Sequence, residues 1–312
     1  MLFDLPEGTV EGLAQQGTFY QEEKSNTVLL FVGDIMLSRS VGTRTVAAGD
    51  YRYPFLEAAD ILREADFAFG NLEGPISARG KNQGSIYSFR ADPRTVEGLT
   101  YAGIDVLSLA NNHIWDWGTD ALIDTVSILQ ESGITSVGAG ANYEEANKPA
   151  LFTAGEVKIA VLAYTNLLPY TMQASGEIPG LSDFNLDTIK TTINKLVDEG
   201  NLVVVSLHWG DEYEVSANAS QREIAKGLID AGASLIVGHH PHVVQELEQY
   251  GNGWVAYSLG NFIFDQSFSK ETMEGAALRV ELEGQKITDA RLIPVKISPD
   301  FQASFDGSNT SQ

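Results

Sequence analysis

Three of the five histidines in this 312-residue chain lie within four positions, at His239, His240 and His242. They follow an apolar run at residues 235–237 and a single glycine. Pro241 excludes a helical backbone here and favours an extended conformation at the residue before it. Imidazole is the commonest metal ligand and the usual acid or base near neutral pH. The segment therefore predicts a metal or acid–base site at a strand end or, taken alone, a histidine-rich loop without a ligand.

Polar residues of related chemistry follow other strand-like apolar runs of the chain. The carboxyl ends of strands line one crevice in open α/β sheets, and ligands bind there. All five histidines fall in these segments, so we predict that the segments converge on one site. Carboxylate, amide and imidazole groups in a chain without cysteine suit a divalent metal, Mn, Zn or Fe, as one ion or two. The residues outside the histidine segment are Asp34, Glu73, Asn112, His113 and His208.

The composition limits the class of partner. A formal charge of −22 and a pI near 4.4 argue against nucleic acid as a partner, because the chain could not neutralise a phosphate backbone. An anionic substrate would need a local positive centre, which a bound divalent cation supplies. No apolar run of 18 residues is present. We expect an extracytoplasmic or cell-surface protein if an upstream anchor was removed, and a cytoplasmic one otherwise.

Strand-like runs alternate with helical patterns, which is typical of an α/β protein. A hairpin over residues 149–163 and two closing strands indicate a mixed sheet, or two sheets packed face to face. We predict a tether at residues 1–26, one domain at 27–298 and a polar tail at 299–312. Predicted helices cover 54–65, 92–103, a face at 122–129, a face at 189–196 and a segment opened by a capping box of Ser220 and Glu223; further strands cover 28–32, 66–69, 104–110, 135–137, 202–207, 234–237, 254–259, 276–282 and 287–295.

Several candidates also have an interpretation without chemistry. Asp116 is placed to cap a helix, Trp209 to form a pocket wall or core, and Asn261 to fix a loop. Arg39 is the best candidate for an anion contact, although a solvated surface position is the alternative. A nucleophilic enzyme is disfavoured, because the chain has no cysteine, no Gly-x-Ser-x-Gly elbow and no phosphate-cradling glycine loop.

Six segments, in this order, resemble the signature segments of the CapA family, the bacterial capsule or poly-γ-glutamate synthesis proteins. The resemblance covers about residues 28–297. It implies a fold similar to the calcineurin-like metallophosphoesterases, an α/β four-layer α/β/β/α sandwich with mixed sheets and a two-metal site at the strand ends. The segments are Gly-Asp-Ile-Met-Leu at 33–37, Asn-Leu-Glu-Gly-Pro at 71–75, Leu-Ala-Asn-Asn-His at 109–113, His-Trp-Gly at 208–210, Gly-His-His-Pro-His at 238–242 and Ser-Leu-Gly-Asn-Phe at 258–262.

The resemblance also implies roles for individual residues. His113 corresponds to the acid that protonates the leaving group, and we place Asp116 with it as catalytic. Two departures indicate one depleted metal position. Met36 stands where a histidine is expected, and Asn71 stands where an aspartate bridges the metals, with Glu73 as its substitute. The implied metal ligands are Asp34, Glu73, Asn112, His208, His240 and His242, and the substrate-binding candidates are Asn71, His239, Trp209, Asn261 and Arg39.

The function implied by the resemblance is synthesis, export or trimming of an anionic capsule polymer such as poly-γ-glutamate. The expected activity is a metal-dependent hydrolase in which water attacks a phosphate ester or amide and His113 protonates the leaving group. The expected substrate is the anionic polymer or a phosphoester. The alternative is a non-catalytic binding subunit of a polymer synthesis complex with membrane partners.

Overall fold

Sixteen short strands within the described part of the chain carry the apolar runs of the sequence. The computed structural model describes residues 26–306; most of the predicted tether and the end of the predicted tail lie outside the described residues. The strands are β1 Thr27–Ile35, β2 Phe67–Leu72, β3 Val106–Ser108, β4 Thr135–Val137, β5 Ala139–Gly140, β6 Ala150–Ala154, β7 Val157–Thr165, β8 Gly180–Leu181, β9 Leu202–His208, β10 Leu235–His239, β11 Leu247–Tyr250, β12 Gly253–Ala256, β13 Asn261–Ile263, β14 Glu274–Glu283, β15 Lys286–Ile297 and β16 Ala303–Phe305.

Two mixed sheets contain nearly all of these strands. The first has the order β16-β15-β14-β1-β2-β3-β4, with β13 also paired to β1, and the second has the order β11-β12-β10-β9-β7-β6. Strands β1 to β4 are parallel, whereas β14, β15 and β16 join them in antiparallel pairs. In the second sheet β7, β9, β10 and β12 are parallel, and β6 and β11 are antiparallel to their neighbours.

Helices connect most of the parallel strands that are neighbours in a sheet, as is usual for crossover connections, whereas β10 and β12 are connected through β11. Two short 3₁₀ turns, Tyr53–Phe55 and Pro93–Thr95, precede the second and third of these helices. The helices are α1 Arg39–Ala48, α2 Ala59–Glu64, α3 Val96–Ala102, α4 Gly118–Glu131, α5 Tyr143–Asn147, α6 Leu186–Asp198 and α7 Ala219–Asp230. Among residues 26–306, no helix has the length and apolar character needed to cross a membrane.

Successive side chains of β9 point to opposite faces of the sheet, and they pack in two different hydrophobic clusters. Val203 and Val205 belong to an outer cluster with Ile193 of α6 and Leu228 of α7. Val204, which points the other way, belongs to the cluster between the sheets, and that cluster also includes the buried residues of α2, α3 and α4. The result is the four-layer α/β/β/α sandwich with mixed sheets.

Some predicted boundaries are wrong. The helix predicted over 54–65 is interrupted, since a 3₁₀ turn ends at Phe55 and α2 begins at Ala59. The strand predicted to reach residue 259 ends at Ala256. The polar tail predicted from residue 299 begins inside the fold, because β16 pairs with β15 and buries Ala303 and Phe305 in the core.

The capping box of α7 also differs from the prediction. Asn218 Oδ1 accepts from the Gln221 backbone N–H at 2.9 Å, and Gln221 Oε1 accepts from the Asn218 N–H at 2.9 Å. The predicted pair, Ser220 and Glu223, lies two residues inside the helix. Both pairs have the required spacing and Asn caps as well as Ser, so spacing alone does not choose between them.

Candidate metal centre

Parallel strand pairing brings the predicted site residues to one edge of each sheet. In the first sheet Asp34 of β1 lies opposite Asn71 of β2, and Glu73 follows directly. In the second sheet His208 of β9 lies opposite His239 of β10. Because β1 and β10 contact each other across the sandwich, the carboxyl ends of both sheets meet at one crevice. The predicted convergence is confirmed: the rings of His208 and His240 are 4.9 Å apart between centroids.

A fully buried group of possible ligands lies at the centre of the crevice. Asp34, Glu73 and His208 each offer one ligand atom, and the three atoms lie within 4.8 Å of one another. The three side chains come from β1, from the residue after β2 and from the end of β9. We refer to these three residues as the buried group.

A second group lies beside it and opens to solvent. Glu212, His240 and His242 also offer three ligand atoms within 4.8 Å of one another. Both histidines are buried, whereas Glu212 is exposed. We refer to these residues as the open group. The sequence prediction missed Glu212, although its position four residues after His208, in the same strand-end loop, was a usable signal.

Asp34 organises the backbone and side chains around the buried group. Its carboxylate accepts from Asn71 Nδ2 at 2.9 Å and from the His240 backbone N–H at 3.2 Å. His239 Nδ1 and His242 Nδ1 each lie 3.3 Å from it. Burial alone would raise the pKa of Asp34, but the close imidazoles of His239 and His242 outweigh it and hold that pKa well below its usual range.

Asn71 connects residues of the buried group through its amide. Asn71 Nδ2 faces Asp34 Oδ1 at 2.9 Å and His208 Nδ1 at 3.3 Å, and its Oδ1 accepts from Asn111 Nδ2 at 3.2 Å. The amide nitrogen thus occupies the place between two ligand residues. Met36, the other departure, is buried, and its sulfur accepts from the Ser38 N–H and hydroxyl.

The histidines of the crevice differ in charge. Burial lowers the pKa of His208 well below its usual value, and burial with the nearby His242 lowers that of His240 to about 4. Burial also acts to lower the pKa of His242, but the Glu73 charge and the Asp34 hydrogen bond outweigh it and raise the pKa to about 9. His208 and His240 are therefore neutral at neutral pH and ready to ligate. His208 Nε2 also lies 2.8 Å from Asn112 Oδ1.

His113 and Asp116 form a dyad at the wall of the crevice. His113 Nδ1 donates to Asp116 Oδ2 at 2.8 Å, and the same oxygen accepts from the Phe89 N–H at 2.8 Å. The Phe89 ring packs on the imidazole with centroids 4.0 Å apart. His113 Nε2 faces the ligands, 3.9 Å from Glu73 Oε1. Asp116 is not the helix cap of the alternative interpretation, because α4 begins at Gly118.

Buried polar atoms test whether a cation fits. Both carboxylate oxygens of Glu73 and Nδ1 of His240 are buried without a hydrogen-bond partner among residues 26–306. Burial raises the pKa of Glu73 well above its usual range, and the attraction of His242 offsets this only partly. A buried carboxylate without donors is costly unless it is paired or coordinates a metal. The oxygen and nitrogen donors fit a divalent cation.

Four of the residues predicted to contact the substrate are buried in the structure. Trp209 packs in the outer core against Tyr257, and its Nε1 donates to the Tyr257 carbonyl at 3.0 Å. Asn261 Oδ1 lies 3.0 Å from His242 Nδ1, and His239 is fully buried beside Asp34. Since Asn71 is equally buried, we correct the assignment of all four: none presents an open face to a substrate.

Arg39 is the predicted contact that remains accessible. Its side chain is 36% exposed, and its guanidinium pairs with the buried Asp265 at 3.1 Å. The same group lies over the Phe89 ring, 5.4 Å from the centroid. Phe89 in turn packs on His113, so Arg39 lies one ring away from the dyad.

The histidine segment differs from its predicted backbone. His240 was expected to be extended because it precedes Pro241, but it has a φ of +97°, and His242 has a φ of +59°. Such values are uncommon for residues other than glycine and occur at sites where surrounding structure fixes them. The His240 N–H bond to Asp34 is one such constraint.

Comparison with known proteins identifies the family. The family model described as "Bacterial capsule synthesis protein PGA_cap" matches residues 28–266. The chain belongs to this family. It is 34% identical over 283 residues to the capsule biosynthesis protein CapA of Bacillus anthracis, covering 88% of this chain and 68% of that protein. It is 32% identical over 271 residues to the PGA biosynthesis protein CapA of Bacillus subtilis (strain 168), covering 86% and 70%.

A solved structure supports the fold independently. The 5′-nucleotidase precursor from Thermus thermophilus superposes with a TM-score of 0.51 at 13% identity, covering 90% of this chain and 54% of that chain. At this identity the likeness concerns the fold alone. The predicted resemblance to the CapA family and the predicted metallophosphoesterase-type fold are both confirmed.

Proposed function

We propose that this protein is a metal-dependent hydrolase that acts on an anionic polymer of the bacterial capsule, such as poly-γ-glutamate. The observation that carries the proposal is the buried Glu73 carboxylate. It lies between His242 Nε2, at 3.6 Å, and His113 Nε2, at 3.9 Å. The Glu73 carboxylate has no hydrogen-bond donor within residues 26–306 and lies beside the dyad of His113 and Asp116. This arrangement suits a site that binds a cation and transfers a proton.

The cation would be held by the buried group, with Asn112, His240 and His242 next to it. Mn, Zn or Fe suits these donors. When bound, a divalent cation polarises the scissile bond and offers a positive centre to an anionic substrate. Such a centre is needed because the chain carries a formal charge of −22 and its accessible Arg39 already pairs with Asp265.

His113 would serve as the general acid. Asp116 holds Nδ1–H, so the transferable proton of the imidazolium is the one on Nε2, which faces the crevice. Transfer of that proton to the leaving oxygen or nitrogen leaves a neutral imidazole still bonded to Asp116. Phe89 restricts the ring from one face, which keeps Nε2 directed toward the substrate.

The names of the relatives support the polymer as the substrate class, since both are capsule or PGA biosynthesis proteins. A capsule polymer lies at the cell surface, so we also propose an extracytoplasmic location with membrane partners in polymer synthesis. The alternative function is a non-catalytic binding subunit of such a complex. Met36 and Asn71 favour it, because they replace two groups with which a two-metal hydrolase would hold its ions.

Elemental analysis and turnover distinguish the two functions. Protein purified without chelator should contain stoichiometric Mn, Zn or Fe, and with added Mn it should hydrolyse a chromogenic phosphodiester or a γ-glutamyl amide. His240→Gln serves as the matched control for adventitious hydrolase. Stoichiometric metal without hydrolysis of either substrate would favour the binding subunit, and the absence of metal would contradict both the cofactor and the hydrolase.

A further inference from the structure

The open group has a geometry that the family motifs did not indicate. His240 is only 7% exposed, and its Nδ1 is buried without a hydrogen-bond partner among the described residues. A ligand atom of this histidine lies within 4.8 Å of ligand atoms of both Glu212 and His242. The open group shares no residue with the buried group, so its three ligand atoms are additional to those of the buried group.

The loop that carries Glu212 is anchored on both sides of it. On one side, Asp211 Oδ2 accepts from Asn218 Nδ2 at 2.8 Å. On the other side, the Tyr213 N–H donates to the Pro241 carbonyl at 2.8 Å, which ties the loop to the histidine segment. Glu212 therefore faces the histidines because the backbone around it is fixed, although the residue itself is exposed.

The charges favour a cation at this position. At the mouth of the crevice Glu212 contributes one negative charge, and the buried Glu73 lies close enough to be affected by it. Two imidazoles and one carboxylate form a ligand set that divalent transition metals commonly adopt, with coordination positions left over. Those positions face solvent, since Glu212 is the exposed member of the group.

We propose that Glu212, His240 and His242 form a second divalent-cation site, open to solvent, whose ion binds a carboxylate or phosphate oxygen of the substrate. The inference rests on the proposed function, in which the buried group holds the other ion. Met36 and Asn71 stand where a histidine and an aspartate ligand are expected. Glu212 supplies a replacement ligand from the loop after β9, on the solvent side of the crevice. The site places a net positive centre at the entrance of a strongly acidic protein, where an anionic chain would first make contact.

The test is Mn²⁺ binding to the full chain, measured by the EPR signal of free Mn²⁺ at pH 8. Wild type should bind two ions with unequal affinity. Glu212→Gln should raise the Kd of the weaker site by about 100-fold or more, because even residues that only orient ligands change metal affinity by about 10- to 100-fold. The tighter site should keep its Kd. Glu214→Gln, which removes the same charge from an exposed residue two positions away, should change neither Kd by more than about threefold.

The outcomes separate this inference from the proposed function. The inference would be overturned if Glu212→Gln left the Kd of both Mn²⁺ sites unchanged. It would also be overturned if wild type had a single Mn²⁺ site whose Kd Glu212→Gln did not change. Either result would leave the hydrolase proposal standing. Loss of the weaker site in Glu214→Gln as well would overturn the inference too, because net charge would then explain the binding. No Mn²⁺, Zn²⁺ or Fe²⁺ binding by wild type would overturn both. Glu212→Ala should reproduce the Glu212→Gln result, with circular dichroism confirming that each variant is folded.

Discussion

The buried group and the open group lie side by side in one crevice but differ in how each tolerates the absence of an ion. Glu73 is enclosed, with no hydrogen-bond partner for its carboxylate in the described part of the chain, whereas Glu212 is solvated. Water stabilises an exposed carboxylate whether or not a cation is present, but a buried one depends on its neighbours. In the absence of an ion, the carboxylate charge should therefore affect the stability of the protein at Glu73 and barely at Glu212.

The comparison also extends to proton transfer. In the proposed hydrolase, His113 would act beside the buried group only when a leaving group develops charge, whereas the ligands would hold a cation throughout. Substitutions should therefore separate proton transfer from metal binding, even though His113 Nε2 lies only 3.9 Å from Glu73 Oε1.

The largest expected effect is on turnover. His113→Gln should lower kcat by about 10² to 10⁴, the usual contribution of a positioned general acid, and should leave metal content nearly intact. His240→Gln should lower metal content and turnover together. Elemental analysis alongside kinetics on the same preparations checks this; equal loss of metal in both variants would show that His113 is a ligand.

The second prediction concerns stability after treatment with chelator, at pH 7. Asp34→Asn should destabilise the protein by about 3–5 kcal/mol, because it removes one of the two carboxylates that stabilise the charge of the buried His242. Glu73→Gln should instead stabilise it, because burial raises the pKa of Glu73 and so disfavours its charged form in the folded protein. That penalty is absent below the usual pKa of a glutamate, grows as the pH rises toward the folded-state pKa and is constant above it.

Chemical denaturation measures both changes, and Glu212→Gln is the matched control. It should leave the unfolding free energy within about 0.5 kcal/mol of wild type, as exposed substitutions usually do. If Glu73→Gln were as destabilising as Asp34→Asn, the Glu73 carboxylate would be stabilised by hydrogen-bond donors in solution, and the contrast between the two groups would not hold.

The third prediction compares the two histidines of the open group. Because the pKa of His242 is raised to about 9, it is protonated at pH 7 and must release its proton when it binds a cation. His240, with a pKa of about 4, releases none. Affinity at a site that uses His242 should rise about tenfold per pH unit and level off above about pH 9. Calorimetry in two buffers with different ionisation enthalpies counts the protons, and a count of zero at pH 7 would exclude His242 as a ligand.

The smallest expected effect concerns the anchor of the Glu212 loop. Asn218→Ala should lower the unfolding free energy by about 1 kcal/mol, since it removes the N-cap of α7 and the bond to Asp211. Ser220→Ala, at the position favoured by the sequence pattern, should cost less than about 0.5 kcal/mol. Denaturation midpoints compare the two, and the reverse order would restore the predicted capping box.

Much of the site follows from local pattern in the sequence. Asp34, His208 and His240 were found because each follows an apolar run that ends a buried strand, and parallel strands present their carboxyl ends together. The same logic gave the fold class, since alternating strands and helices of these lengths allow few arrangements. Neither inference required knowledge of how the two sheets are rotated against each other.

Only the tertiary structure decided how the side chains are directed and what surrounds them. Whether Trp209 lines the crevice or packs against Tyr257, and whether Asn261 faces a substrate or His242, depends on the packing of elements far apart in sequence. The positive φ of His240 is held by Asp34, 206 residues earlier. Glu212 stands near the histidines because the Tyr213 N–H bonds to Pro241. The sequence determined which groups end the strands, because burial and periodicity are local; the distances between those groups depend on long-range packing, which leaves no local periodic signal.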